Sequence, residues 1–262
     1  MHNQDTLVQG NADPSNIESE MQRLARLILI FAILFAVFII APAFFSDRFA
    51  PYPLMKNGDV LDLLTPLVLI PIYWLLFQIH PHRPPSQKQM LVFLLFAALW
   101  IQGQGMHLAA NSIGHLAQPD SGSEVKQLSY FYDEILSHYI WHLGLIGLSA
   151  LLIYRQWQNP FIKESSGLRL EITAGIIHGF NYFIDIVESA TTVLGVPFAA
   201  GIVLFCLIWG RQYAERYPLG HLRQQPILAF FFVSYSIACL FFLGWGIYWG
   251  GLPEFSEVGI ID

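Results

Sequence analysis

Residues Leu24 to Phe45 read LARLILIFAILFAVFIIAPAFF, with Arg26 the single charge in the stretch. A helix of that length rises about 33 Å at about 1.5 Å per residue, enough to cross about 30 Å of hydrocarbon. Inside a bilayer every backbone N–H and C=O must be bonded within the protein, so such a stretch is helical. Working outward from it, six further apolar stretches of similar length follow, at 60–79, 90–116, 130–154, 168–190, 193–210 and 226–250. The composition agrees: 55% of the 262 residues are hydrophobic and only 12% charged, too apolar for a soluble domain. The expected fold class is therefore all-α, a polytopic membrane protein with seven transmembrane helices. A polar tail over 1–22 is expected to be disordered, a transmembrane domain to cover 23–252, and an acidic tail to cover 253–262. The first span exceeds the 7–15-residue apolar core of a signal sequence and is expected to be retained.

Charge placement then predicts orientation. Arg23, Arg26, Arg83, Lys88, Arg155, Lys163, Arg169, Arg211, Arg216 and Arg223 fall on the side of the N-terminus, whereas the other side holds only Arg48, Lys56 and Lys126. Ten against three predicts a cytoplasmic N-terminus and an extracytoplasmic C-terminus, as in a bacterial inner (plasma) membrane. The net charge of -6 contains no basic run, which excludes a nucleic-acid partner and leaves membrane lipids as the expected surroundings. Cys206 and Cys239 lie inside predicted spans without metal-ligand spacing and read as small buried residues.

The functional signal is a set of ionisable residues within these spans, where they are costly and mark a site by default. Glu134, His138 and His142 recur every four residues and so stack on one face of the fourth span. The third span carries His107, Asn111 and His115, and the fifth carries His178, Asn181, Asp185 and Glu188. Counting along each span from its predicted entry side puts most of these in the same outer half of the bilayer. His80 and His82 read instead as part of an interfacial loop, and Glu171 as an isolated carboxylate on the inner side.

Two imidazoles at i and i+4 are a helical way of presenting two nitrogens to one metal ion. The expected site therefore has His107, His138, His142 and His178 as metal ligands, zinc being the ion that suits them. Glu134 would handle protons while Asn111 and Asp185 orient the set. Walled by apolar side chains, such a site would suit metal-dependent hydrolysis of a lipid-like amide or ester. One alternative is a b-type haem or quinone-linked redox protein, with His142 and His178 as axial ligands. Another is a proton or metal-ion transporter, for which only Glu171 continues the polar residues toward the inner side.

Seven spans with embedded His, Asp and Ser resemble the superfamily of alkaline ceramidases and adiponectin receptors. The resemblance implies that this architecture can host intramembrane zinc. Members of that family carry an HxxxH pair in their final helix. Here the pair is His138 and His142 in the fourth span, and the seventh span holds no histidine.

Overall fold

The computed structural model describes residues 14–79, 84–116, 122–161, 164–213 and 220–260. They form seven helices, with no strand among the described residues. These are α1 (Pro14–Ile40), α2 (Asn57–Gln78), α3 (Gln87–Leu116), α4 (Glu124–Gln158), α5 (Leu168–Glu188), α6 (Thr192–Tyr213) and α7 (Pro226–Trp249). Their limits follow local chemistry. Asp59 accepts from the Lys56 N–H at 2.8 Å at the start of α2, and Ser123 Oγ accepts from the Lys126 N–H at 3.2 Å at the start of α4. Pro226 opens α7, where a missing N–H costs nothing, and Gly250 ends it with φ 70°, a left-handed conformation that suits glycine.

Six of the seven are long and apolar enough to cross a membrane, consistent with an integral membrane protein. The exception is α5. It has 21 residues, enough to span, but it carries Glu171, His178, Asn181, Asp185 and Glu188 and does not meet the apolar criterion. The first four of those are buried, because α5 packs between α1 and α7. Small residues make that packing close. A Cβ on Gly175 would stand 2.7 Å from Val233 Cβ and 2.9 Å from the Phe230 carbonyl of α7. The α3–α4 contact is built the same way. A Cβ on Gly103 would meet the Trp141 nitrogen at 2.5 Å, and one on Gly144 the Trp100 nitrogen at 2.6 Å.

Large rings fill the centre, among them Phe31, Phe35, Tyr73, Trp100, Tyr182, Phe230 and Tyr235, all essentially without exposed surface. Leu67, Leu94, Leu240 and Leu243 are each more than half exposed on the periphery, as expected of a surface that faces acyl chains.

Several boundaries differ from those expected. Helix α1 starts at Pro14, so residues 14–22 are helical rather than part of a disordered tail. Residues 1–13 lie outside the described residues, as do His80, His82 and the orientation-setting Arg83, Lys163 and Arg216. Helix α4 begins at Glu124 and runs unbroken for 35 residues. The connection from α5 to α6 is as short as the sequence suggests, with Ala190 at φ 52°, but α6 then packs chiefly on α7 instead of folding back along α5. After α7 the chain returns over the helix ends. Trp245 Nε1 donates to the Pro253 carbonyl at 2.9 Å, the Phe255 N–H donates to Glu188 Oε2 at 2.9 Å, and the Phe255 ring lies 4.8 Å from that of Trp245.

Candidate functional site

Within α4, residues Phe131–Ser137 form a π-helical segment between two α-helical ones. Its i to i+5 hydrogen bonding brings residues five apart toward one face, whereas in an α-helix residues four apart align. The carboxylate of this segment that touches His107 is Asp133, not Glu134. Asp133 is buried, with Oδ1 2.8 Å from Nδ1 of His107 on α3, a close polar contact whose angle departs from that of a well-aligned hydrogen bond. The His107 and His138 rings lie 4.9 Å apart, and Trp141 stands 6.1 Å from each. Asp62 of α2 and Glu134 are within electrostatic range of His107. This mouth of the centre is predominantly acidic.

One turn deeper the chemistry is more constrained. His142 is fully buried and stacks on Trp141 with centroids 4.8 Å apart. Its Nδ1 is 2.8 Å from the His138 carbonyl and therefore donates to it. Its Nε2 is 3.2 Å from Asp185 Oδ2 of α5. A neutral imidazole carries one N–H, and that one is committed to the carbonyl, so Nε2 and a carboxylate oxygen would meet as two acceptors. A hydrogen bond between them therefore needs a proton beyond the one on Nδ1.

Ser189 Oγ is 3.4 Å from the same Nε2, which sets a serine, a histidine and an aspartate side by side. They do not form a nucleophilic triad. In a triad the carboxylate and the hydroxyl use different imidazole nitrogens, whereas here both share Nε2 and Ser189 Oγ donates to the Asp185 carbonyl at 2.5 Å. The role of Ser189 is to close the end of α5, and its carbonyl accepts from His138 Nδ1 at 3.1 Å.

The four histidines expected to hold zinc do not meet at one point. His178 stands apart in an aromatic enclosure, its ring 4.5 Å from Phe35, 5.2 Å from Phe230 and 5.6 Å from Phe31, with Nδ1 2.7 Å from Ser234 Oγ. His142 Nε2 and Asp185 Oδ2, 3.2 Å apart, match one edge of a tetrahedron with bonds of about 2.0 Å. Among the described residues, however, no group of three His, Cys, Asp or Glu side chains is disposed to hold a metal ion. The residues present fit two corners of a zinc site, not a complete one. Asn111 is half-buried one turn beyond His107, and Glu134 is half-buried on the flank of the π segment. Neither side chain is hydrogen-bonded to the centre. His115 lies exposed at the helix end, 3.2 Å from Lys56 Nζ.

The structure adds a line of residues that the sequence treats separately. Glu171, His178 and Asp185 are seven apart on α5, hence on one face at intervals of about 10 Å, and they are 0%, 1% and 6% exposed. Asn181 lies between the upper two, its Nδ2 on the Ile177 carbonyl at 2.6 Å. Tyr182 stacks 6.3 Å from His178, and on its far side Tyr73 and Ser149 exchange a 2.9 Å hydroxyl contact. Glu171 is not isolated, since Ser165 Oγ donates to its Oε1. Among the described residues, Glu171 Oε2, His178 Nε2, Asn181 Oδ1 and Tyr235 Oη are buried polar atoms without a hydrogen-bond partner. Such atoms are expensive, and the placing of three of them along α5, with Tyr235 facing from α7, asks for an explanation beyond packing.

Of these residues, the sequence reading missed Asp133 and the link from Asp185 to Glu171. The seven-residue repeat of Glu171, His178 and Asp185 was there to be read. The change of register that recruits Asp133 had no comparable signal. No protein-family model, no curated protein and no solved structure matches the chain, so the reading of this centre rests on its own geometry.

Proposed function

We propose that this integral membrane protein moves protons, taking them up at the His107–Asp133 mouth and passing them through the His142–Asp185 pair to the buried face of α5. One observation carries the reading. A hydrogen bond within the pair needs a second proton because both imidazole nitrogens of His142 face acceptors, and the pair stands at the head of a buried line that reaches Glu171 at the opposite end of the helix. Ionisable residues aligned inside a membrane bundle are the usual material of proton relays. The steps of about 10 Å exceed hydrogen-bond reach, so water joins them, and the unpartnered polar atoms of Asn181, His178 and Glu171 are where it would bind. The turn bearing Ala174 and Gly175, between His178 and Glu171, is the least polar step and would limit the rate. The ten-to-three asymmetry of basic residues supports a cytoplasmic N-terminus, with the mouth facing the extracytoplasmic side of a plasma membrane.

The test is proton flux into liposomes containing the purified protein and a trapped pH-sensitive dye, driven by a potassium diffusion potential. Flux above that of protein-free liposomes, lost in Asp185→Asn, is the expected result. Flux equal to that of empty liposomes would remove the reading.

A second reading is a metal-dependent hydrolase of a lipid-like ester or amide. It is favoured by the 3.2 Å separation of His142 Nε2 and Asp185 Oδ2 and by His138, whose Nδ1 bond to Ser189 leaves its Nε2 lone pair free to ligate. Stoichiometric zinc in purified protein, together with turnover of a long-chain ester, would replace the proton reading with this one.

A further inference from the structure

At the end of the bundle opposite the histidines, the start of α3 and the end of α4 enclose an open cleft of about 640 Å³. Its polar lining holds Lys88, Gln89, Arg155 and Gln158, its apolar lining holds Val92 and Leu151, and among the described residues no carboxylate lines it. Arg155 is only 2% exposed and its position is fixed, with Nη1 donating to Gln89 Oε1 at 3.4 Å and the guanidinium 5.1 Å above the Phe77 ring. A guanidinium is always charged, and its planar set of N–H donors favours an anion with several acceptor oxygens. Lys88 adds an exposed second positive charge.

We propose that this cleft binds the phosphate headgroup of an anionic phospholipid, with Lys88 and Arg155 on the phosphate and the acyl chains laid along α3. Position and shape select a lipid over a soluble anion. The cleft lies where two membrane-crossing helices end, at the level a headgroup occupies. Lys88, Val92 and Leu95 follow one another at four- and three-residue steps, so they form a stripe leading from the charge into the apolar periphery. Leu91 and Leu95 on that stripe are 66% and 57% exposed. A soluble phosphate would use the charged wall and leave this apolar runway unused. The inference stands independently of the proton reading, since it shares no residue with the histidine centre.

Native mass spectrometry of the detergent-purified protein tests it, with phosphatidylglycerol and phosphatidylcholine of identical chains as competing probes. Phosphatidylglycerol is expected to be retained preferentially. Its retention should fall about fivefold in Lys88→Ala, which removes one charge at the headgroup level. Lys126→Ala, at the other end of the bundle, should leave it unchanged. Lys88 is exposed, so its variant reports binding without loss of fold; Arg155→Gln should weaken retention further. Equal retention of the two lipids, or wild-type retention by Lys88→Ala, overturns the headgroup site. Displacement of phosphatidylglycerol by millimolar inorganic phosphate overturns the lipid assignment in favour of a soluble anion.

Discussion

His142 Nε2 stands 3.2 Å from Asp185 Oδ2 while its Nδ1 is 2.8 Å from the His138 carbonyl, so both ring nitrogens of this α4 residue face oxygen acceptors. Replacing Asp185 by Asn separates the hydrogen bond from the proton. The Asn amide can donate to the Nε2 lone pair of a neutral imidazole, so the contact persists without an ionisable partner. Asp185→Asn should therefore stay within about 1 kcal/mol of wild-type stability while abolishing flux. Asp185→Leu, which leaves His142 buried and unpaired, should lose about 3 kcal/mol or more. Thermal unfolding in detergent, run beside the liposome assay, checks both; a large loss of stability in the Asn variant would contradict the donor count.

His178 offers the reverse combination. Its ring already lies among Phe31, Phe35, Phe230 and Phe231, and its Nε2 is a buried nitrogen without a partner. Phenylalanine fits that enclosure and removes the unsatisfied atom, but it leaves the buried Ser234 Oγ without its 2.7 Å partner, so His178→Phe should lose about 1–3 kcal/mol. Flux should disappear as well. A His178→Phe protein that conducts normally would show that the imidazole is only a packing element.

The mouth provides a contrast between neighbouring carboxylates. Asp133 touches His107 at 2.8 Å, whereas Glu134 is half-exposed on the flank. Asp133→Asn should lower flux at least about tenfold, in line with loss of a group that handles protons directly. Glu134→Gln should change it less than about threefold, the scale of a nearby charge acting through partly aqueous surroundings. Initial rates of dye acidification distinguish the two, and a larger effect at Glu134 would restore the α-helical register.

Alignment of the two halves of the mouth depends on close contact of α3 with α4. Gly144→Ala would place a methyl 2.6 Å from the Trp100 nitrogen and 2.7 Å from the Phe96 carbonyl, both backbone atoms that cannot swing away. It should cost about 1–3 kcal/mol and pull His107 away from His138. Gly105 is on the same helix pair with nothing within 4 Å of an added Cβ, so Gly105→Ala should be neutral or slightly stabilising. Unfolding temperatures of the two variants decide the matter.

The returning C-terminal segment should respond to pH. Partial burial raises the Glu254 carboxyl above its ordinary value, and the neighbouring negative charges of Glu257, Glu188 and Glu134 raise it further. A carboxyl raised by folding stabilises the docked form fully below its free value, near 4.5, and loses that contribution as pH climbs through the raised one. The segment should thus hold tightest in mild acid and loosen toward neutrality. Fluorescence of Trp245, which donates to Pro253 within the segment, reports this, and Glu254→Gln should flatten the profile.

Much of this molecule is legible in its sequence, for reasons that can be located. The apolar stretches fix helices because a bilayer permits little else, and the four-residue spacing of His138 and His142 correctly puts both on the buried side of α4. His107, His142 and Asp185 do gather at one end of the bundle, as their counted depths predict. What escapes is phase and neighbourhood. Nothing in Phe131–Ser137 signals a π segment, so Glu134 takes the place that Asp133 fills. His178 counts as deep, but depth along a helix says nothing about azimuth, and its neighbours turn out to be rings from α1 and α7.

The polar character of α5 has a consequence for how the protein is made. A segment holding Glu171, Asp185 and Glu188 is a poor candidate to leave the translocation machinery alone, since each acid at the middle of a lone helix costs a few kcal/mol. Its principal partner, α7, is synthesised after it, beyond α6. Until that partner emerges α5 has only α1 to shelter it, so a crossing by α5 would have to wait for α7. Truncation before Pro226 should strand α5 outside the membrane, and the parity of every later crossing would change with it.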